Sequence, residues 1–480
     1  MNQSYLMTAI IQIGKVDKIM DMRKLYYQIP MPLKRLAFSL IPYRYIAGKS
    51  YRETLKLCSY LETADQTEIH AFQEKKLQDI LTYAVNKVPF YKPYKSKVEN
   101  AASYRDALKY FPVINKKTVQ ENFHALTSDD IKKIRHLTAR TSGSTGIQLA
   151  FYQDCRIYGT EMAFIHHQWA KFGYRPSCKK ATFRGIKFND MKPGTFWQYN
   201  PIHNELQFSP FHMSESNLEL YVNRLQQYKP EFLHGYPSAI TILADYIAKY
   251  SLQAKILPVK AVFCSSEACT PYQRSKMEQT FQCPVYPFYG QSERVAWAGE
   301  CNEKNIFHTF PGYSCFEILA PDASPVQPGE CGEITGTGFW NYSMPLIRYA
   351  TDDTARLLEE SNEQYYHAIT LDQLQGRRKS GVYGKDNVWI SSTSLELHDS
   401  IFEHITAYQY YQTEPGKLAI LIIPGCNWQS DMADKLLASH QELLGDSMDM
   451  KVVLTDDIPC TSGGKRLLIR QDYKPEALDA

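Results

Sequence analysis

The stretch Thr138-Ala139-Arg140-Thr141-Ser142-Gly143-Ser144-Thr145-Gly146 alternates small hydroxyl residues with glycines, and nothing bulky interrupts it. Gly143 and Gly146 permit close backbone approach and positive φ. Successive N–H groups in such a loop form an anion nest, and Ser142, Ser144 and Thr145 add donors, which suits a polyphosphate. It is not a Walker loop, because no Gly-Lys-Ser/Thr follows. A solvated flexible loop has the same composition, so the flanking chain has to decide. A helical stretch is expected before it, and LAFYQD (149–154) after it reads as a strand.

Outward from this loop, the chain alternates two periods. Between 130 and 350, apolar runs such as Val259–Cys264 and Val285–Tyr289 are separated by amphipathic stretches at 216–228 and 239–250. Short β runs between helices predict an α/β body of mixed sheets and helices. Upstream, Ile69, Phe72, Leu77, Ile80, Leu81, Ala84 and Val88 recur at helical spacing until Pro89 stops them. Downstream the texture changes. AYQYYQTEPGKLAILIIPG is two β runs about a Pro-Gly turn, then a helix is expected near 428–444 and a strand at Lys451–Leu454. The spacing predicts three parts: an N-terminal helical, aromatic extension over 1–60, a core domain over 61–376, and a small mobile α+β domain over 377–480.

Composition narrows the function. The chain has 480 residues with 54 Lys plus Arg against 51 Asp plus Glu, a net charge of +3, which argues against attachment to nucleic acid by bulk charge. No run of about 18 apolar residues occurs, so no membrane-spanning helix is expected. The aromatic segment Lys34–Lys49, with basic flanks, fits either a helix on the main body or peripheral contact with a membrane surface and its glycan machinery. The 11 cysteines are scattered, and the first residues lack a basic segment and a small-residue cleavage site, so a reducing, cytoplasmic setting is expected.

Further motifs stand at predicted element ends. Phe288-Tyr289-Gly290-Gln291-Ser292-Glu293 follows an apolar run, where α/β ligand sites collect. Glu293 suits a divalent cation, or else is a solvated turn carboxylate. Gly290-Gln291-Ser292 invites a nucleophile-elbow reading, which fails because Arg294 stands where a second glycine is needed. Pro345-Leu346-Ile347-Arg348-Tyr349-Ala350-Thr351-Asp352-Asp353 is read as a strand ending on two carboxylates, suited to a ribose diol or to a plain turn. Gly376-Arg377-Arg378-Lys379 lies at the expected domain junction, and Thr461-Ser462-Gly463-Gly464-Lys465 near the end presents a lysine on a glycine-rich loop.

The order TSGSTG, YGQSE, an Asp after IRY, GR and SGGK resembles the adenylate-forming superfamily of acyl-CoA synthetases and peptide-synthetase adenylation domains. Within it, VPFYKPY (88–94), FPVINKKTVQENF (111–123) and PEFLHGYPSAI (230–240) are similar to the phenylacetate–CoA ligase and CapK branch, the latter found in polysaccharide gene clusters. The resemblance implies an ATP-dependent, Mg²⁺-assisted ligase that forms an acyl-adenylate. By it, Thr141, Ser142, Gly143, Ser144, Thr145 and Gly146 close over the ATP phosphates. Ser266 and Glu267 lie beside adenine, Tyr289 stacks near the base, and Gly290, Gln291 and Ser292 line the nucleotide and acyl site. Glu293 holds Mg²⁺, Asp353 binds the ribose, and Arg377 sits by ribose and phosphate. Lys379 is the hinge, and Lys465 bridges carboxylate and α-phosphate. The acid pocket is expected from 184–240 and 264–300, with His234, Tyr236 and Trp297 favouring a polar or aromatic acid over a long fatty tail.

Three departures from the family pattern are visible: Ile147-Gln148 after the phosphate loop, Asp352 where glycine is common, and Lys379-Ser380 at the hinge. Cys301 and His308, at C-x6-H, raise a zinc site, but the later Cys-x-Cys of zinc-bearing relatives is absent, and separate thiols are the expectation. The acyl acceptor is CoA or an amine, the latter on an amino sugar in capsule or O-antigen synthesis. The alternative is a catalytically degenerate nucleotide-binding or assembly protein that keeps the fold.

Overall fold

The computed structural model describes residues 33, 41–141, 149–185, 194–256, 258–365, 367–375, 381–392, 395, 397, 400–425, 428–458 and 468–473. The first long helices are α1 (Gly48–Leu61) and α2 (Gln66–Lys87). Asp65 starts α2 with a capping box: its carboxylate accepts from Glu68 N at 2.8 Å, and Glu68 Oε2 accepts from Asp65 N at 3.0 Å. Ile69, Leu77, Ile80, Leu81 and Ala84 form its buried face, as their spacing requires. α1 buries Tyr51, Cys58 and Leu61 and packs on α3 (Ile157–Ala170), so this part of the N-terminal segment is built into the main body.

Strands β1 (His136–Thr141) and β2 (Leu149–Asp154) form an antiparallel pair, with Thr141 opposite Leu149. The glycine-rich stretch therefore joins two paired strands. The helical stretch expected immediately before it is replaced by β1, because the local helices end at Leu126 and Lys133.

Among the described residues, the main sheet has 12 strands. Its parallel part is built from β3 (Lys180–Phe183), β5 (Glu205–Phe208), β6 (Phe232–Gly235), β7 (Ala261–Cys264) and β8 (Val285–Gly290), with β4 (Trp197–Asn200) antiparallel on the edge. From β8 the sheet continues antiparallel through β9 (Trp297–Glu300), β10 (Phe307–Thr309), β14 (Ala368–Gln375), β13 (Tyr349–Asn362), β12 (Cys331–Gly338) and β11 (Ser314–Leu319).

Period-2 alternation sends Ala181, Phe183, Leu233, Val262 and Cys264 to one face. There they pack on α4 (Glu215–Tyr228), α5 (Pro237–Lys249) and α6 (Pro271–Phe281). The other face carries Phe232, His234, Phe263 and Phe288 against α3, where Trp169 stacks on Phe263 with ring centres 4.4 Å apart. Gly235 is required by this packing, since a Cβ there would meet Phe183 O at 2.2 Å.

The C-terminal part has a short antiparallel pair, β15 (Gly381–Tyr383) and β16 (Trp389–Ser391), and its own sheet, β19 (Asp449–Leu454), β18 (Lys417–Pro424), β17 (Ile405–Glu414) and β20 (Ile469–Gln471), covered by α7 (Met432–Leu444). β17 and β18 are the two runs read about Pro415-Gly416. Phe211 of the main body is buried among this part's core residues, including Val382, Leu444 and Met448, and His212 faces Gly445 and Asp446.

Candidate active site at the strand ends

The carboxyl ends of β3, β6, β7 and β8 lie side by side, as Phe183 pairs Gly235, Gly235 pairs Cys264, and Cys264 pairs Pro287. β6, β7 and β8 release expected site residues at this edge, where open α/β sheets bind ligands, and β3 adds Arg184. Past β6, Tyr236 donates its N–H to Phe183 O at 3.0 Å and stands at the N-cap of α5. Past β7, Ser266 has φ 68° and accepts from Arg184 Nη2 at 2.9 Å. Glu267 Oε2 accepts from Ser238 N at 3.2 Å, in the first turn of α5, where a helix favours negative charge. These contacts bring Ser266, Glu267, Tyr236 and Arg184 together.

Past β8, Gln291 pairs through its side-chain amide with Ala296. Ser292 O accepts from Gln153 Nε2 of β2 at 3.1 Å, which ties the β1–β2 pair to this turn. Glu293 is buried, and its Oε1 accepts from Tyr349 OH at 2.9 Å. Tyr289 donates its hydroxyl to Asp353 Oδ2 at 2.8 Å, both side chains being 8% exposed. Burial first, and then the Asp353 charge, push the Tyr289 hydroxyl well above its ordinary pKa, so it stays a donor. The ring of Tyr289 sits in an apolar cluster with Ala296, Phe307 and Phe316.

The strand read as ending on Asp352-Asp353 does not end there. β13 runs on to Asn362, and Asp352 forms a kink with φ 63° while its N–H is held by Glu333 Oε1 at 3.1 Å. The register against β12 shifts at this point. The kink leaves Asp352 exposed and turns Asp353 inward onto Tyr289. Glycine is the easiest residue in the left-handed region, and Asp is among the few others that tolerate it. The Asp in place of glycine thus keeps the backbone form.

The expected acid-pocket residues divide. His234 is buried beside Trp169 and Phe288, near Ser265 Oγ at 3.4 Å, and burial followed by the Arg184 and Lys180 charges holds its imidazole neutral. Tyr236 lies under the Arg184 guanidinium. Trp297 packs into a core cluster with Leu61, Phe164 and Tyr313. Cys301 and His308 have separate partners: Gln168 Nε2 lies 3.3 Å from Cys301 Sγ, while His308 bonds Thr370 and stacks on Tyr365. Among the described residues, no group of three or more His, Cys, Asp or Glu side chains is placed to hold a metal ion. Thr141 is buried at the end of β1. Ser142, Gly143, Ser144, Thr145, Gly146, Arg377, Lys379 and Lys465 lie outside the described residues. Arg184, Tyr349 and Gln153 join the site without having been singled out from sequence. Only the position of Arg184 just after a strand could have flagged it.

Comparison with known proteins bears on this arrangement. No protein-family model matches the chain. Protein CapK of Staphylococcus aureus is 25% identical over 388 residues, covering 77% of this chain and 84% of that protein. Phenylacetate-coenzyme A ligase of Escherichia coli is 23% identical over 429 residues, 84% of this chain and 95% of that one. Among solved structures, 2-hydroxyisobutyryl-CoA ligase in complex with 2-HIB-AMP and CoA superposes with a TM-score of 0.57 at 17% identity, over 86% of this chain and 92% of that chain, a likeness of fold. An α/β body ending its parallel strands on these side chains, with a small α+β unit after it, defines an adenylate-forming fold. In sequence the chain is similar to protein CapK and to phenylacetate-coenzyme A ligases, and its fold is that of acyl-CoA ligases.

Proposed function

We propose that the chain is an AMP-forming acid ligase. A carboxylate oxygen of the acid attacks the α-phosphorus of ATP, the bond to the bridging oxygen breaks, and pyrophosphate leaves with the electron pair. The product is an acyl-adenylate, a mixed anhydride. An acceptor thiol or amine then attacks the acyl carbon, loses its proton, and expels AMP.

The observation that carries this reading is the convergence at one sheet edge of Ser266 and Glu267, Glu293, and the Tyr289–Asp353 pair. Asp353 is a carboxylate acceptor for a ribose diol, oriented by the Tyr289 hydroxyl. The composition of the glycine-rich stretch suits the phosphates, and β2, which follows it, is tied to Ser292 through Gln153. Lys465 would neutralise charge on the transferring phosphoryl group. A Mg²⁺ ion takes one or two carboxylates together with phosphate oxygens and waters, so buried Glu293 with one oxygen fixed by Tyr349 fits it, and the ion would supply charge neutralisation at the phosphates.

CoA is the acceptor that the named relatives support. The resemblance to CapK supports an amine on an amino sugar of a capsule or O-antigen polysaccharide as the other. The test is acid-dependent ATP–pyrophosphate exchange by the purified protein beside Lys465→Ala and Glu293→Gln. Exchange that needs an acid and falls at least about a hundredfold in each variant is expected. ATP binding with no exchange in any acid pool would instead favour a nucleotide-binding protein that keeps the fold.

A further inference from the structure

Charge is unevenly shared along this chain. The first 60 residues hold 10 Lys plus Arg against 3 Asp plus Glu, which leaves 44 against 48 in all the rest. The proposed reaction uses none of these early cations, yet several of them stand together on one outward face.

Helix α1 has two faces. Tyr51, Thr54, Cys58 and Leu61 are buried at helical spacing, and Tyr51 OH lies 2.9 Å from His166 Nδ1 on α3. The contact is close, since a Cβ on Gly159 of α3 would meet Ala47 O at 3.1 Å and Tyr51 N at 3.2 Å. The opposite face carries Lys49, Glu53, Lys56 and Tyr60, each three or four residues after the last and all exposed. In the turn before the helix, Tyr43 is buried, whereas Arg44 and Tyr45 are exposed. Tyr45 is 57% exposed and Tyr60 47%. The Arg44 and Arg52 guanidiniums lie 5.1 and 5.6 Å from the centre of the Tyr45 ring. Nearby carboxylates are engaged elsewhere: Glu53 lies 3.5 Å from Lys49, and Glu62 lies 3.1 Å from His167. Arg44, Arg52 and Lys56 thus give net positive charge to a face that α3 holds in place.

Charge and composition say what covers it. Cations beside exposed tyrosines suit a layer of anionic headgroups, because tyrosine rings settle at headgroup level and basic side chains are drawn to the negative surface potential. The 40 residues leading into this face hold six Lys plus Arg against two Asp, interspersed with Ile, Leu, Met, Tyr and Phe. That apolar share suits a lipid surface, and a nucleic acid would not call for it. Among the described residues, no helix is long and apolar enough to cross a membrane, so the contact is with the surface. The apolar side of α1 is committed to α3, so adsorption rests mainly on charge and weakens with salt.

We propose that the outward face of residues 44–60, with Arg44, Tyr45, Lys49, Arg52, Lys56 and Tyr60, docks on an anionic lipid surface. The inference does not depend on the ligase reading.

The test is co-sedimentation of the full chain with vesicles of phosphatidylcholine alone or with about 30 mol% phosphatidylglycerol. Binding to the anionic vesicles should exceed binding to the neutral ones at least about tenfold in ~0.1 M salt, and most of it should be lost in ~0.5 M salt. The variant Arg44→Ser/Lys49→Ser/Lys56→Ser removes three exposed charges. It should bind the anionic vesicles at least about tenfold more weakly, with a melting temperature within about 2 °C of the parent. Should that variant fold poorly, Lys56→Glu alone should weaken binding at least about fivefold. Equal binding to both vesicles, no binding to anionic vesicles in ~0.1 M salt, or binding that the well-folded variants keep overturns the inference. So does retention on a nucleic acid without retention on vesicles.

Discussion

Asp352 and Asp353 are neighbours in sequence with opposite fates. The first has φ 63° and an exposed side chain, and the second is buried under the Tyr289 hydroxyl. Asp352→Gly should therefore leave stability unchanged or raise it by up to about 1 kcal/mol, because glycine carries no Cβ penalty in the left-handed region but costs unfolded-state entropy. ATP affinity should not move. Asp353→Asn should weaken ATP binding by about tenfold, since a ribose diol loses a charged acceptor. Melting temperature and ATP titration of the two variants check this, and a gain in ATP affinity on Asp352→Gly would mean that this carboxylate does repel the nucleotide. At this scale the sequence points to the strand-end edge where a residue sits in an ordered motif, as Glu293 and Asp353 do. It does not point to Arg184, because a single arginine signifies nothing until the chain brings Ser266 and Tyr236 to it.

Among the elements, runs with clear periodicity were legible. α2, α4, α5, β7, β8, β17 and β18 formed close to where alternation or helical spacing located them. β13 was cut short in the reading, because Asp-Asp is turn chemistry and only pairing on both sides with β12 and β14 carries the strand through the kink. Pairing also accounts for a buried ion pair between strands. Lys180 on β3 and Glu205 on β5 are buried together. Although burial pushes the Glu205 carboxyl up, Lys180, His203 and hydrogen bonds from Thr182 and Gln207 outweigh it and hold the pKa at about 2, below its ordinary 4.5. A depressed carboxylate stabilises the fold fully above pH 4.5 and loses that contribution as the pH falls from 4.5 toward 2. Lys180→Met strands the buried carboxylate and should cost about 3–5 kcal/mol at neutral pH. The Lys180→Met/Glu205→Gln pair should recover much of that loss and flatten the acid limb. Denaturant melts from pH 7 downward measure both, and a loss below about 1 kcal/mol for the single variant would show that water reaches the pair.

At the scale of the molecule, one sheet joins a parallel half, which ends on the candidate site, to an antiparallel half that supplies Asp353 and Tyr349 to the same place. The two halves meet at β8 and β9, so Glu293 is delivered at the seam. The sequence could announce an α/β body and a smaller α+β unit. It could not announce that the antiparallel strands continue the same sheet, since that depends on pairing between segments far apart in the chain.

The fate of oxygen tests the proposal that these parts activate an acid as its adenylate. With an acid carrying ¹⁸O in both carboxylate oxygens, turnover to the acceptor product should leave one ¹⁸O in the phosphate of AMP, because the attacking carboxylate oxygen departs with AMP. Label appearing in inorganic phosphate alongside ADP, or AMP formed without label, would contradict the account.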